Sequence, residues 1–197
     1  VTAGVFAKLQ EDTEDQWMYL CTMGQGSDRD RFEYGIECVV HENSKLTNLQ
    51  DIKRAFAAGN IDVFMVGKLS TSGGIFPRSY LKRQGFALSE DDIIFTGTHD
   101  NCLRELVRAA EKAGEPQQHE LQNSATQQQS APANQMNSNT REHIAFVWDG
   151  AYVEGHDNEG LPIERLTLDG LDQQQIPESA VIVRRQFYES DSEFFDK

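Results

Sequence analysis

Val63-Phe64-Met65-Val66-Gly67, a short apolar run of the buried-strand type, leads directly into Lys68-Leu69-Ser70-Thr71-Ser72-Gly73-Gly74-Ile75-Phe76-Pro77. Phe76, Tyr80 and Leu81 then recur at helical spacing, so a strand passes through a hydroxyl-and-glycine turn into a helix. That order is the unit of an α/β architecture. The first N–H groups of a helix have no partner within it, and its aligned peptide dipoles put partial positive charge there. Three hydroxyls and two glycines at such a turn form a suitable cradle for a tetrahedral oxyanion. Plain helix capping in a Gly-rich turn is the other reading of the same residues.

Further units follow the same grammar. Trp17 to Thr22 and Tyr34 to His41 read as strands, with a Gly24-Gln25-Gly26-Ser27 turn between them. Thr47 or Asn48 caps a helix carrying Leu49 and Ile52. After the anion turn, a helix is expected over Gly74 to Gln84, a short buried strand at Ile93-Ile94-Phe95, and a helix from Asp100 to Lys112. Leu103, Leu106, Val107 and Ala110 mark the apolar face of that last helix. His99 then falls at a strand-to-helix junction, outside the carboxyl end of a strand, where α/β sheets place ligand groups. From Glu115 to Glu142 the chain turns to Gln, Asn, Ser, Ala and Pro, with Leu121 and Met136 its only large aliphatic side chains. Such a stretch buries too little to offset its ordering entropy, and it reads as a mobile insertion or an interdomain linker. Ile144 to Trp148 resumes a buried strand. Leu166 and Leu168 alternate as in an exposed or edge strand, and Ala180 to Val183 reads as a last core strand ahead of an acidic tail with Phe194-Phe195.

Charge and cysteine usage exclude several classes. A net charge of −14, with 18 basic against 32 acidic residues and no basic run, leaves counterion release on nucleic acid nothing to work with. The acidity does not forbid a small anion, because fixed N–H groups at contact distance outweigh screened charges farther off. No apolar run approaches the ~20 residues of a membrane span. Cys21, Cys38 and Cys102 form no close pair; Cys38 and Cys102 read as small core residues, and a bond to Cys21 is left open by spacing. The five histidines at 41, 99, 119, 143 and 156 have no metal-ligand spacing, so neither metal nor cofactor is expected.

Ser70-Thr71-Ser72-Gly73, Phe76-Pro77-Arg78-Ser79-Tyr80-Leu81 and Phe95-Thr96-Gly97-Thr98-His99-Asp100, in that order and spacing, resemble the phosphonate-binding periplasmic proteins of ABC transporters. Ile144 to Gly150 resembles the strand after that family's His-bearing helix, and Ile176-Pro177 with Val181 to Arg185 resembles its return strand. Tyr34 to Ser44 is similar to its segment leading into the crossover. The resemblance implies a type 2 periplasmic-binding fold, in which two α/β lobes joined by crossing hinge strands close on a phosphonate, phosphite or phosphate. It also implies that the first lobe is incomplete here: residues 1–46 would be its remainder and first hinge strand, 47–155 the second lobe with its polar insertion, and 156–197 the return. By position, Ser70, Thr71, Ser72 and Gly73 would grip the anion, His99 would donate from the same lobe, Tyr34 would contribute from the opposite one, and Asp149 would receive an amine or a protonated oxygen. The implied partners are the small oxyanion and an ABC permease, with an extracytoplasmic location and contact with a membrane only through the permease or an anchor.

Rival readings use the same residues. Ser72, His99 and Asp149 stand in the order of an α/β-hydrolase triad, yet Ser72 lacks the G-x-S-x-G elbow and shares its turn with two other hydroxyls. A nucleophile needs one activated hydroxyl and a cradle needs several, so no catalytic residue is assigned and an enzyme is not expected. His99 as a helix-start neighbour, Asp149 as a strand-ending turn, and Tyr34 and Trp148 as core aromatics are the bland alternatives. The same binding fold in front of a histidine kinase or similar receptor would sense the ligand instead of delivering it.

Overall fold

The computed structural model describes residues 2–13, 16–22, 33–114, 141–151, 160–177 and 179–190. The expected Gly24-Gln25-Gly26-Ser27 turn, residues 115–140 of the polar stretch, Glu178, and Phe194-Phe195 lie outside them. The elements are α1 (Ala3–Asp12), β1 (Trp17–Thr22), β2 (Glu33–Tyr34), β3 (Ile36–His41), α2 (Leu49–Ala57), β4 (Ile61–Met65), α3 (Phe76–Arg83), β5 (Ile93–Phe95), α4 (His99–Gly114), β6 (Glu142–Trp148), β7 (Ile163–Arg165), β8 (Ile176–Pro177), β9 (Ala180–Arg184) and α5 (Arg185–Ser190). A wide π-type turn, Thr71–Ile75, precedes α3.

Five strands form the central sheet in the order β5-β4-β6-β3-β7. β4 runs parallel to β5 and β6, whereas β3 is antiparallel to β6 and β7 antiparallel to β3. The sheet thus draws β3 and β7 from either side of segment 47–155. Both faces are covered, which is why β4 and β6 read as continuous apolar runs and not as alternating ones. Val63, Met65, Ile144 and Phe146 face the cluster containing Ile52, Tyr80 and Leu81, while Phe64, Val66, Ala145 and Val147 face Cys102, Leu103 and Leu106 of α4. Cys38 and Cys102 are buried free thiols, as their settings suggested, and Cys21 is free and exposed. Burial pushes the Cys102 thiol up to about 12, so it is inert as a nucleophile at neutral pH.

Two antiparallel ribbons, β1 with β9 and β2 with β8, stand outside this sheet. Ala180 to Val183 is therefore a ribbon strand and not the last core strand that its apolar residues suggested; Val181 is 37% exposed. The edge strand near Leu166 is Ile163–Arg165, and the two leucines beyond it are buried. They turn inward because the Leu166 N–H donates to the Cys38 carbonyl at 2.8 Å, carrying the chain over the apolar face. The opening residues form α1, with Thr2 accepting from the Val5 N–H.

Asn48 caps α2, its Oδ1 accepting from Gln50 N at 2.8 Å and Asp51 N at 3.1 Å. Thr47 donates to the Asp51 carboxylate through backbone and hydroxyl, and with Arg54 this lowers that carboxyl to about 2. Asn48→Ala is expected to cost ~1 kcal/mol of stability with no change at the cavity described below, measurable as a shifted denaturant midpoint at constant slope.

Candidate functional site

Because β4, β5 and β6 are parallel and β3 runs against them, four chain segments meet at one end of the sheet: the turn after β4, the start of α4 after β5, the end of β6 and the entry to β3. Beside them lies a small open cavity of about 180 Å³ lined by Thr2, Tyr34, Ser70, Thr71, Ser72, His99, Trp148 and Ser179. Five of the seven expected site residues line it.

The turn after β4 is held by its backbone. Val66 N–H donates to Gly73 O at 2.8 Å, Ile75 N–H to Ser70 O at 2.8 Å, and Ser70 N–H to Gly67 O at 3.1 Å. Arg78 adds two bonds from outside, to Lys68 O at 2.7 Å and Gly74 O at 3.2 Å, and its charge is directed at those carbonyls. Lys68 pairs with Glu90 at 2.6 Å. Neither cation lines the cavity. Ser70 caps the turn, its Oγ accepting from Gly73 N at 3.2 Å. Gly73 therefore serves the turn instead of the cavity: its N–H is engaged, and a Cβ there would sit 2.3 Å from Val66 Cγ2 and 3.2 Å from His99 Cε1. Thr71 and Ser72 are buried, and Thr71 Oγ1 accepts from Gly4 N at 3.0 Å, joining α1 to the turn. Gly4 allows this approach, since a Cβ there would meet Ile75 Cδ1 at 2.3 Å and Leu69 O at 2.9 Å.

His99 opens α4. Gly97 supplies the positive φ, +88°, that turns the chain after β5, and Thr98 Oγ1 accepts from Asn101 N at 3.2 Å at the helix start. The imidazole is fixed from the other side of the cavity, with Trp148 N–H donating to His99 Nδ1 at 3.2 Å. In the neutral ring the proton then resides on Nε2, which makes His99 a donor. Burial pushes its pKa down to about 4, with Asp100 opposing weakly, so the ring is neutral at neutral pH. The Trp148 ring lies edge-on between Tyr34, at 6.3 Å, and His99, at 6.4 Å.

That depressed pKa has a testable consequence. The unfolded chain binds a proton near pH 6.5 and the folded chain only near 4, so between these values the unfolded state holds more protons. The stability His99 contributes is complete above about pH 6.5 and is lost as pH falls toward 4. Imidazole ¹⁵N spectra at pH 6 are expected to show a neutral ring protonated on Nε2; a charged ring at that pH would contradict the bond from Trp148.

Asp149 is placed differently from the other site residues. It follows β6, its N–H donates to Gly35 O at 3.2 Å, and its Oδ2 lies 3.2 Å from the point a Gly35 Cβ would occupy. It packs against the entry to β3 and is not among the lining residues. Thr2, Trp148 and Ser179 are the lining residues not expected from the sequence, and of these Thr2 has a signal, since Thr before Val5, Phe6 and Leu9 marks a helix start. Ser179 and Trp148 carry no local signal that sets them apart from loop and core residues.

The arrangement is suited to binding. Three helix starts, α1 at Thr2, the π-type turn at Ser70 and α4 at His99, converge on one small space. Their N-terminal dipoles and neutral donors favour an anion there. Among the described residues no cluster of metal-ligating side chains exists, and no helix is long and apolar enough to cross a membrane.

Comparison with known proteins bears on the fold and the family. A search of curated proteins found no match. Among solved structures, XAC2383 from Xanthomonas citri bound to ATP superimposes with a TM-score of 0.61 at 14% identity, over 98% of this chain and 59% of that one. The glycine betaine/L-proline-binding protein ProX of an ABC transporter from Borrelia burgdorferi matches with a TM-score of 0.51 at 12% identity, over 99% of this chain and 57% of that one. The chain thus spans under three fifths of the length of either structure. The shared feature is the fold, mixed α/β and consistent with a partial type 2 periplasmic-binding fold, as the strand-turn-helix grammar and the motifs implied. Residues 5–134, which include the whole of the Ser70 turn and His99, match the family model described as ABC transporter, phosphonate, periplasmic substrate-binding protein. Two thirds of the chain, including the turn after β4, thus follow one pattern, and the protein belongs to the phosphonate periplasmic substrate-binding family of ABC transporters.

Proposed function

We propose that this chain supplies the anion-gripping part of an extracytoplasmic binding protein that takes a phosphonate, phosphite or phosphate and passes it to an ABC permease. The observation that carries this reading is the convergence of the Ser70, Thr71 and Ser72 hydroxyls and the His99 Nε2–H on one small cavity at three helix starts. The size supports it too. About 180 Å³ is below the ~300–1,000 Å³ typical of sites for drug-sized ligands, and it suits a tetrahedral anion with a small substituent. Binding requires no covalent chemistry: hydroxyl and N–H donors to a charged oxygen are among the stronger hydrogen bonds, and water excluded by closure would strengthen them.

Isothermal titration of the full-length protein with methylphosphonate, 2-aminoethylphosphonate, phosphite, phosphate and sulfate tests the reading. Micromolar or tighter binding of a phosphorus oxyanion is expected. Silence toward all four phosphorus ligands would overturn it.

A further inference from the structure

Three hydroxyl residues of the cavity lining, Thr2, Ser70 and Thr71, share one property beyond their number. Thr2 Oγ1 accepts from Val5 N at 3.4 Å, Ser70 Oγ from Gly73 N at 3.2 Å, and Thr71 Oγ1 from Gly4 N at 3.0 Å. His99 Nδ1 accepts in the same way from Trp148 N at 3.2 Å. A hydroxyl that accepts a backbone N–H turns its own proton away from that donor, and an imidazole that accepts on Nδ1 carries its proton on Nε2. All four residues line the cavity. Four backbone amides, on α1, in the π-type turn and on β6, thus polarise four side chains in one sense, as proton donors.

Charged groups lie near this cavity but outside its lining. Asp100 follows His99 on α4, Asp149 packs against Gly35, Lys68 is paired with Glu90, and Arg78 is bonded to the Lys68 and Gly74 carbonyls. Against Thr2, Ser70, Thr71 and His99, whose own protons are turned from their backbone partners, a ligand oxygen bearing a proton would bring a donor toward donors, whereas a deprotonated oxygen can accept from each. We infer that the cavity takes its oxyanion in the fully deprotonated form, and that Thr2, at the start of α1, is one of the donors that impose this choice. The inference rests on the oxyanion reading above and sharpens it: the ligand class is the dianion, selected by protonation state and not by a carboxylate that accepts a ligand proton.

The test is calorimetric titration of the full-length protein with inorganic phosphite from about pH 5 to pH 8, beside sulfate, which has no proton to lose in that range. Phosphite affinity is expected to fall about tenfold per pH unit below the ligand's second ionisation, near 6 for phosphate-type groups, while sulfate affinity stays level. Phosphite affinity independent of pH would overturn the inference and leave the proposed function standing. A sulfate affinity that follows pH as phosphite does would also overturn it, because a protein group would then be titrating. No binding of either anion at any pH would overturn the inference, and silence toward methylphosphonate, 2-aminoethylphosphonate and phosphate as well would overturn the proposed function with it.

Thr2→Asp examines the new residue. The carboxylate still caps α1 but has no proton to donate, so phosphite affinity should fall at least about tenfold with the thermal midpoint kept, whereas Thr2→Ser should stay within about twofold. Wild-type affinity in Thr2→Asp would remove Thr2 from the donor set. The pH series on the unmodified protein decides the remainder, whichever variants fold.

Discussion

Gly74→Ala is expected to disrupt the turn after β4 and to cost more than ~3 kcal/mol of stability, the upper end of what overpacking usually costs. A Cβ at position 74 would lie 2.0 Å from the Gly67 carbonyl oxygen and 3.1 Å from its carbon. Both are backbone atoms at the end of β4, fixed by the bonds from Ser70 N to Gly67 O and from Val66 N to Gly73 O. A flexible side chain could swing aside; this backbone cannot move without breaking the turn that holds Ser70, Thr71 and Ser72. Gly67→Ala is the control, since a Cβ there meets nothing within 4 Å. Thermal or chemical denaturation should therefore separate the two neighbouring glycines clearly, with Gly67→Ala close to wild type. Comparable losses in both would show that the clash is relieved and the turn geometry is wrong.

Thr71→Ala is expected to act twice. Removing Oγ1 strips the acceptor from the buried Gly4 N–H, which costs about 1–3 kcal/mol of stability and loosens α1 from the turn. It also removes a donor to a charged ligand, worth about 1.5–3 kcal/mol of binding, or roughly a ten- to hundredfold weaker dissociation constant. Thr71→Ser keeps the hydroxyl and should restore most of both. Denaturation reads the first effect and phosphite titration the second. If affinity in Thr71→Ala equals wild type while stability falls, Thr71 is a structural tie between α1 and the turn, and the cradle assignment must pass to Ser70 and Ser72.

The two substitutions also mark how far the sequence could be read. The turn between β4 and α3 was legible because its signals are local: an apolar run, then hydroxyls and glycines, then helical spacing. So were the caps at Asn48 and the apolar stripe of α4, which depend on neighbours a few residues away. The need for glycine at 74 was not legible in that way. It follows from the approach of Gly67 O across the turn, a distance that no propensity encodes. The polarity of Thr71 likewise depends on Gly4, 67 residues away in the chain.

Where an apolar segment pairs was the other blind spot. Ala180 to Val183 has the residues of a core strand, yet among the described residues it pairs with β1 in a two-stranded ribbon and not with the central sheet. Leu166 and Leu168 alternate like an edge strand, but burial pulls both over the sheet face. Periodicity reports which side chains prefer to leave water; it does not report which surface receives them.

By itself, then, the sequence determined the α/β grammar, the hydroxyl turn at a helix start, the acidic surface and the family to which these motifs point, because each rests on residue type and short-range order. The tertiary structure decided which of those residues meet. It set Thr2, Tyr34, Trp148 and Ser179 around the Ser70 turn and His99, and it left Asp149 packed against Gly35. It also gave His99 its protonation and its donor role, since these arise from burial and from the Trp148 N–H on a strand 49 residues farther along the chain. Convergence, desolvation and the direction of a hydrogen bond are properties of groups brought together by folding.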